Sequence, residues 1–131
     1  MRNRLGGGKR PVYEDWVMEL SAERCSECHP GAPVITDTEQ RLFMEQLPDW
    51  DILDVNYVRK LRRVYRLKNW DRSMVFANEI ARIADEEDHH PSLLIEFGKV
   101  TVTWFTLVVK DLHRNDFIMA AKSDKVFNGL A

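Results

Sequence analysis

The chain contains few of the residues that mark several large classes of protein. Its 131 residues include two cysteines, six glycines and five prolines, which excludes a disulfide-dense scaffold, a collagen and a Pro/Gly-rich linker. The formal net charge is −2, so no basic excess indicates phosphate contacts with nucleic acid. No apolar run approaches the roughly 20 residues that span a bilayer. We therefore expect one soluble globular domain, with no nucleic acid and no membrane as partner.

The first residues are charged and no long apolar stretch follows them, which argues against a secretory signal and predicts a cytoplasmic protein. Residues 1–17 contain three consecutive glycines and several basic residues, which is typical of a disordered tail. The predicted organisation is this tail, a cysteine-bearing extension over residues 18–35, and a folded domain over residues 36–131. Translation could also start at Met18.

The only two cysteines lie close together, in the sequence CSECH of residues 25–29. Cys-x-x-Cys-His is the attachment pattern of c-type haem, but such attachment normally requires export. Zinc would need a second pair of ligands, and a redox pair would need a strand-to-helix context. We predict free thiols and no cofactor here. A labile metal or a disulfide is the alternative, and the role of Cys25, Cys28 and His29 stays open.

Acids and histidines are concentrated in residues 85–91, which have the sequence DEEDHHP. Imidazole titrates near neutral pH, so a fixed pair, His89 and His90, could give and take protons in one turnover. Pro91 restricts the backbone of His90, and Asp85 would share a helical face with His89 and could orient it. The alternatives are an ordinary helix end and a metal site. Metal is disfavoured because adjacent residues of an extended segment point to opposite sides.

Hydrophobic periodicity predicts three helices and two pairs of strands. Residues 36–39 form a capping box that opens the first helix, and Asn69 caps the second, whose apolar face includes Ala81. Residues 57–67 fit either a helix or a strand, and their alternation favours a strand. The predicted ranges are helices 37–46, 70–87 and 113–126 and strands 50–53, 57–67, 93–97 and 99–109. This order predicts an α+β fold in which an antiparallel four-stranded sheet carries three helices on one face, α-β-β-α-β-β-α.

The segment around the two histidines resembles the pterin-4a-carbinolamine dehydratase family. Members carry an acid, three further residues, His-His-Pro, an aromatic residue, a Lys-Val strand start, a Thr-His or Ser-His pair, and then an aspartate. Here the acid is Asp85, the pair is His89 and His90, and the final aspartate is Asp116. The aromatic residue is Phe97, one place past its usual position. The resemblance extends back through Trp70 and more weakly to Thr36.

Two positions depart from the family pattern. The third histidine of the family aligns with Leu107, and leucine can neither transfer a proton nor form a hydrogen bond. Asp111 stands where the family usually has glycine. The nearest spare imidazole belongs to His113, at the start of the last helix, and the sequence alone does not indicate that it substitutes.

The resemblance implies dehydration of a 4a-hydroxytetrahydropterin to a quinonoid dihydropterin, which recycles the cofactor of aromatic amino acid hydroxylases. No metal or cofactor is implied. The partners would be the pterin substrate, further copies of the chain in a homodimer or homotetramer, and a hydroxylase. Since Leu107 replaces a histidine, activity could be reduced. The alternative is a low-activity or inactive family member that serves as a dimerisation or regulatory binding module.

The same resemblance suggests roles for individual residues. His90 would act as the acid that helps the hydroxyl leave, and His89 would bind the hydroxyl or act as the base. Asp85 would orient His89, whereas Asp116 is either catalytic or an acid that stabilises the helix start. The predicted substrate-binding set adds Pro91, Thr106, Leu107 and Val108 to the two histidines.

Overall fold

The computed structural model describes residues 19–130, and the tail predicted for residues 1–17 lies outside them. The order of elements is α-β-β-α-β-β-α, as the sequence predicts. A short 3₁₀ turn, Leu20–Ala22, comes first. The helices and strands are α1 (Asp37–Met44), β1 (Asp51–Val55), β2 (Val58–Arg66), α2 (Trp70–Glu87), β3 (Ser92–Glu96), β4 (Lys99–Trp104) and α3 (Arg114–Gly129).

The four strands form one antiparallel sheet in the order β1-β2-β4-β3. Leu61 pairs with Trp104 and Tyr65 with Val100, so these buried side chains share the face on which the helices pack. On the opposite face, Thr101 pairs with both Val64 and Leu94. The last two side chains are exposed, so no helix of residues 19–130 covers them on this face.

Helix ends follow the capping signals of the sequence. The Thr36 hydroxyl accepts from the N–H of Glu39, and the Glu39 carboxylate accepts from the N–H of Thr36, which confirms the capping box. The Asn69 side chain accepts from the N–H of Arg72 and caps α2. The bounds of α2 coincide with those predicted, because its cap and its apolar stripe agree.

The largest difference from the predicted bounds is at the end of β4, and one residue of the predicted core stripe of α2 is exposed. Strand β4 ends at Trp104 and not at residue 109, because Thr106 turns its hydroxyl toward α3 and Lys110 takes a left-handed conformation with φ 54°. The β-branched residues after Trp104 made the strand seem longer than it is. Ala81, assigned to the core stripe of α2, is exposed, while Phe76, Ile80 and Ala84 are buried.

Two tight turns join the strands. Asn56 and Tyr57, between β1 and β2, both have positive φ, 54° and 68°. Gly98, with φ 70°, links β3 to β4 at the turn where Phe97 is exposed. Within residues 19–130, no helix has the length and apolarity needed to cross a membrane.

Candidate active site

His89 is directed inward by the way that α2 ends. Asp88 adopts the left-handed conformation, with φ 51°, and the N–H of His89 donates to the carbonyl of Ala84 at 3.1 Å. The helical path therefore stops before the histidines, and the two rings diverge. His89 is buried and its ring stacks on Trp104, with centroids 5.9 Å apart and an interplanar angle of 10°.

The buried partner of His89 is Asp116, which α3 presents from its first turn. His89 Nε2 lies 2.7 Å from Asp116 Oδ1. The same carboxylate, fully buried, accepts from the Thr106 hydroxyl at 2.8 and 2.9 Å and from the N–H of His113 at 3.0 Å. Three donors satisfy this charge, so Nε2 of His89 carries a hydrogen when Asp116 is ionised. The Nδ1 atom of His89 is then the nitrogen left for other partners.

Asp85 contacts His90, so the expectation that it orients His89 is wrong. His90 Nε2 lies 2.9 Å from Asp85 Oδ1, and both side chains are largely exposed. The prediction assumed that helical spacing continues to His89, whereas the left-handed Asp88 breaks it. Each histidine of the pair consequently has its own carboxylate, one buried and one at the surface.

The other predicted binding residues occupy two loops. Pro91 follows His90 directly and leads into β3. Thr106 is buried, and its hydroxyl donates a hydrogen bond to Asp116. Leu107 and Val108 are 58% and 50% exposed in the loop after β4. Leu107 therefore belongs to the surface and not to the hydrophobic core.

His113 was predicted at the start of the last helix but was not assigned to the site. It is the N-cap of α3, its Nδ1 accepts from the N–H of Asn115 at 3.0 Å, and it is only 5% exposed. Burial lowers the pKa of His113 below its ordinary value of 6.5, Asp116 acts in the opposite direction, and the nearby imidazoles of His89 and His29 add to the lowering. The cap position three residues before Asp116 was the available signal, but histidine is not a common N-cap residue.

The cysteine-bearing extension is attached to the start of α3. The Asn115 amide accepts from the N–H of Ser26 at 3.0 Å and donates to its carbonyl at 2.7 Å. Glu23 forms two bonds of 2.8 Å with the guanidinium of Arg114, and Leu20 is fully buried. The extension therefore packs as part of the same structure.

Cys25 and Cys28 are free thiols in this structure. Burial, followed by the charge of Glu87, raises the pKa of Cys25 to about 12. Burial also raises the pKa of Cys28, although the Asn115 amide, 3.1 Å from its sulfur, acts in the opposite direction. Among residues 19–130, no group of three or more His, Cys, Asp or Glu side chains is arranged to hold a metal ion.

Asp111, the other departure from the family pattern, is explained by Arg59. The guanidinium donates to the two oxygens of Asp111 at 2.7 and 3.3 Å and lowers the pKa of that carboxyl. Asp111 also accepts from the N–H of Leu112. The residue therefore anchors the loop after β4 to β2.

Comparisons with known proteins agree on one family. The family model described as "Pterin 4 alpha carbinolamine dehydratase" matches residues 33–126. A curated protein of Nitrosococcus oceani, named "Putative pterin-4-alpha-carbinolamine dehydratase", is 44% identical over 108 residues, which cover 82% of this chain and 96% of that protein. A crystal structure titled transcriptional coactivator/pterin dehydratase, from Brucella melitensis, is similar in fold. It has a TM-score of 0.64 and 23% identity over 72% of this chain and 98% of that one. The chain belongs to the pterin-4a-carbinolamine dehydratase family.

Proposed function

We propose that the protein dehydrates 4a-hydroxytetrahydropterin to quinonoid dihydropterin and uses the two carboxylate-paired imidazoles for the proton transfers. One observation carries the assignment of the site: His89 and His90 are adjacent in the chain, yet one is paired to a buried carboxylate and the other to an exposed one. Family membership supports the reaction itself. The two environments favour different roles for the two rings.

The reaction requires a proton for the leaving hydroxyl and the removal of a proton from a ring nitrogen. In the proposal, protonated His90 gives its proton to the 4a-hydroxyl, the C–O bond breaks, and water leaves. A base takes the proton of the ring N–H while the C=N bond forms, so that atoms and charge balance. His89 serves as this base or as a hydrogen-bond partner of the hydroxyl, through the nitrogen that does not face Asp116.

The carboxylates act through the rings that they contact. Asp85 orients His90, and Asp116, together with Thr106, holds His89 in one tautomer and orientation. Pro91, Leu107 and Val108 would line the pterin pocket, because they lie in the loops that carry these groups. No residue in the proposed mechanism requires a metal or a redox cofactor.

Several wider properties belong to the same proposal. The product would return to an aromatic amino acid hydroxylase, in the cytoplasm. The chain would form a homodimer or homotetramer, for which exposed Val64 and Leu94 on the uncovered sheet face are suitable contacts. Residues 36–131 would form the catalytic domain and residues 18–35 an extension of it.

A second function has one observation in its favour. By the family resemblance, Leu107 stands at the position of a histidine, so the chain could have kept the fold as a dimerisation or regulatory module with little activity. The exposed position of Leu107 shows that the residue is not required for core packing. The two functions differ in whether stoichiometric protein is needed for any effect on the pterin.

The test is to generate the carbinolamine in situ and to follow its decay with catalytic and with stoichiometric amounts of protein. We expect acceleration by the wild type and a loss of about 10²- to 10⁴-fold in His90→Ala, the usual contribution of general acid–base catalysis. His89→Ala should weaken rate and binding together. Arg82→Ala, on the exposed surface of α2, is the matched control. If the carbinolamine decays no faster with wild-type protein than in buffer, the enzymatic function is contradicted and the binding module is favoured.

A further inference from the structure

His113 lies beside the proposed proton-transfer site although it is absent from the family motif. Its backbone N–H donates to Oδ2 of Asp116 at 3.0 Å, while Oδ1 of the same carboxylate lies 2.7 Å from His89. One carboxylate group thus separates the His113 backbone from the His89 ring.

The protonation state of this ring is fixed by its role as a helix cap. Nδ1 accepts from the N–H of Asn115, so this nitrogen carries no hydrogen. The positive end of the α3 dipole and the burial of the ring both disfavour a second proton, in agreement with the lowered pKa of His113. The neutral ring must therefore carry its hydrogen on Nε2. Since that tautomer is held by the helix, His113 is a fixed hydrogen-bond donor and a poor general acid.

The donor is unused by the part of the chain that the structure describes. Residues 19–130 provide no hydrogen-bond partner for Nε2 of His113, although the residue is 5% exposed. Buried donors are nearly always paired, and an exception next to reactive groups suggests a ligand. Capping alone requires only Nδ1, and asparagine or serine would provide it as well.

We propose that His113 is a third imidazole of the pterin site, whose Nε2–H donates a hydrogen bond to the bound carbinolamine. This inference rests on the proposed function and deepens it. The acceptor is an oxygen or an unprotonated nitrogen of the pterin, because a neutral N–H can only donate. The ring binds and positions the substrate and gives up no proton. The chain would in this way compensate for the leucine at position 107 with a donor from a different element.

The experiment compares His113→Asn and His113→Ser with wild type. Both replacement side chains can accept a hydrogen bond from the N–H of Asn115, so the cap and the midpoint of thermal unfolding should be preserved. Loss of one neutral hydrogen bond to the substrate should lower kcat/KM by about 3- to 10-fold, mainly through KM. His29→Asn, which alters an exposed imidazole of the extension, is the matched control and should leave both constants unchanged.

A direct measurement separates binding from capping. In protein with 15N-labelled imidazoles, titration with 7,8-dihydrobiopterin should shift the Nε2–H signal of His113 and not the signals of His29. Wild-type kcat/KM in both variants together with an unmoved His113 signal would overturn the inference, and His113 would be a cap only. Failure of the wild type to accelerate the dehydration would instead overturn the proposed function. In that case a shifted His113 signal would still show the pterin contact.

Discussion

Nε2 of His89 and Oδ1 of Asp116 lie 2.7 Å apart, although 27 positions of the sequence separate the two residues. The contact joins the end of α2 to the start of α3, and the Thr106 hydroxyl from the loop after β4 joins the same carboxylate. Three separate parts of the chain thus meet at one buried negative charge. The stability of the fold and the orientation of His89 consequently depend on the same group.

Asp116→Asn should reduce both activity and stability. An amide has one accepting oxygen and presents N–H groups to the donors of Thr106, His113 or His89, so a buried polar atom loses its partner. We expect a cost of about 1–3 kcal/mol in the free energy of unfolding, together with slower turnover. Asp85→Asn is the control, because Asp85 is exposed: it should slow turnover and leave the urea midpoint unchanged. Equal urea midpoints for the two variants would contradict this account of Asp116.

Leu107→His should raise the rate of dehydration. The side chain is 58% exposed in the loop after β4, so an imidazole there stays in contact with water and should not change the melting temperature measurably. Val108→His, at the next and similarly exposed position, tests whether any added imidazole has this effect. An unchanged rate in Leu107→His, with the stability preserved, would show that position 107 does not reach the pterin.

The stability of the protein should fall as the pH drops below about 6.5, in part because of His113. The folded protein holds this pKa below 6.5, whereas the unfolded chain has the ordinary value, so below 6.5 the unfolded state binds a proton that the folded state does not. His113→Asn removes that difference. Urea unfolding from about pH 7.5 to about pH 5 should therefore give a shallower loss for the variant than for wild type. Parallel curves would show that His113 titrates equally in both states.

Tyr57→Gly should stabilise the fold. Asn56 and Tyr57 both occupy the left-handed region at the turn between β1 and β2, and Tyr57 is 95% exposed. Glycine adopts this conformation without a steric cost, and its greater freedom in the unfolded chain offsets part of the gain. We expect a net gain of about 0.5–1 kcal/mol in urea unfolding. Asn56→Gly should gain less, since asparagine tolerates positive φ. A loss in Tyr57→Gly would reveal a contact made by the exposed ring.

Cys25→Ser combined with Cys28→Ser should leave turnover and melting temperature nearly unchanged. Serine is similar in size to cysteine, and its hydroxyl can take the place of the Cys28 sulfur beside Asn115. In wild type, alkylation of Cys25 by iodoacetamide at about pH 8 should be slow, because its pKa of about 12 leaves little thiolate. Metal retained by the wild type and lost by the double variant would contradict the assignment of free thiols.

Local signals predicted much of this fold. Capping residues and apolar stripes placed α2 at its observed bounds, and the order of elements followed from the periodicity. The end of β4 was missed because Val108 and Val109 have strand propensity. Tertiary contacts decided that boundary, through the bond from Thr106 to Asp116.

The resemblance supplied a set of candidate residues but not the contacts between them. The motif identified His89, His90, Asp85 and Asp116. Which histidine pairs with which carboxylate depends on the left-handed backbone of Asp88, and the sequence did not predict that conformation. His113 was predicted at the start of the last helix, where it is the N-cap of α3. Spacing along the chain did not show that its backbone N–H would bond the carboxylate that also contacts His89.

The two-bonded ion pair between Glu23 and Arg114 affects which substitutions this chain can accept. Two bonds of 2.8 Å attach the extension at the residue that begins α3, two positions before the aspartate that holds His89. A charge reversal at either member would repel the extension from the site, whereas reversal of both would restore the attraction. The two bonds couple a glutamate outside the family motif to the helix that presents Asp116, so the two positions are expected to covary among close relatives.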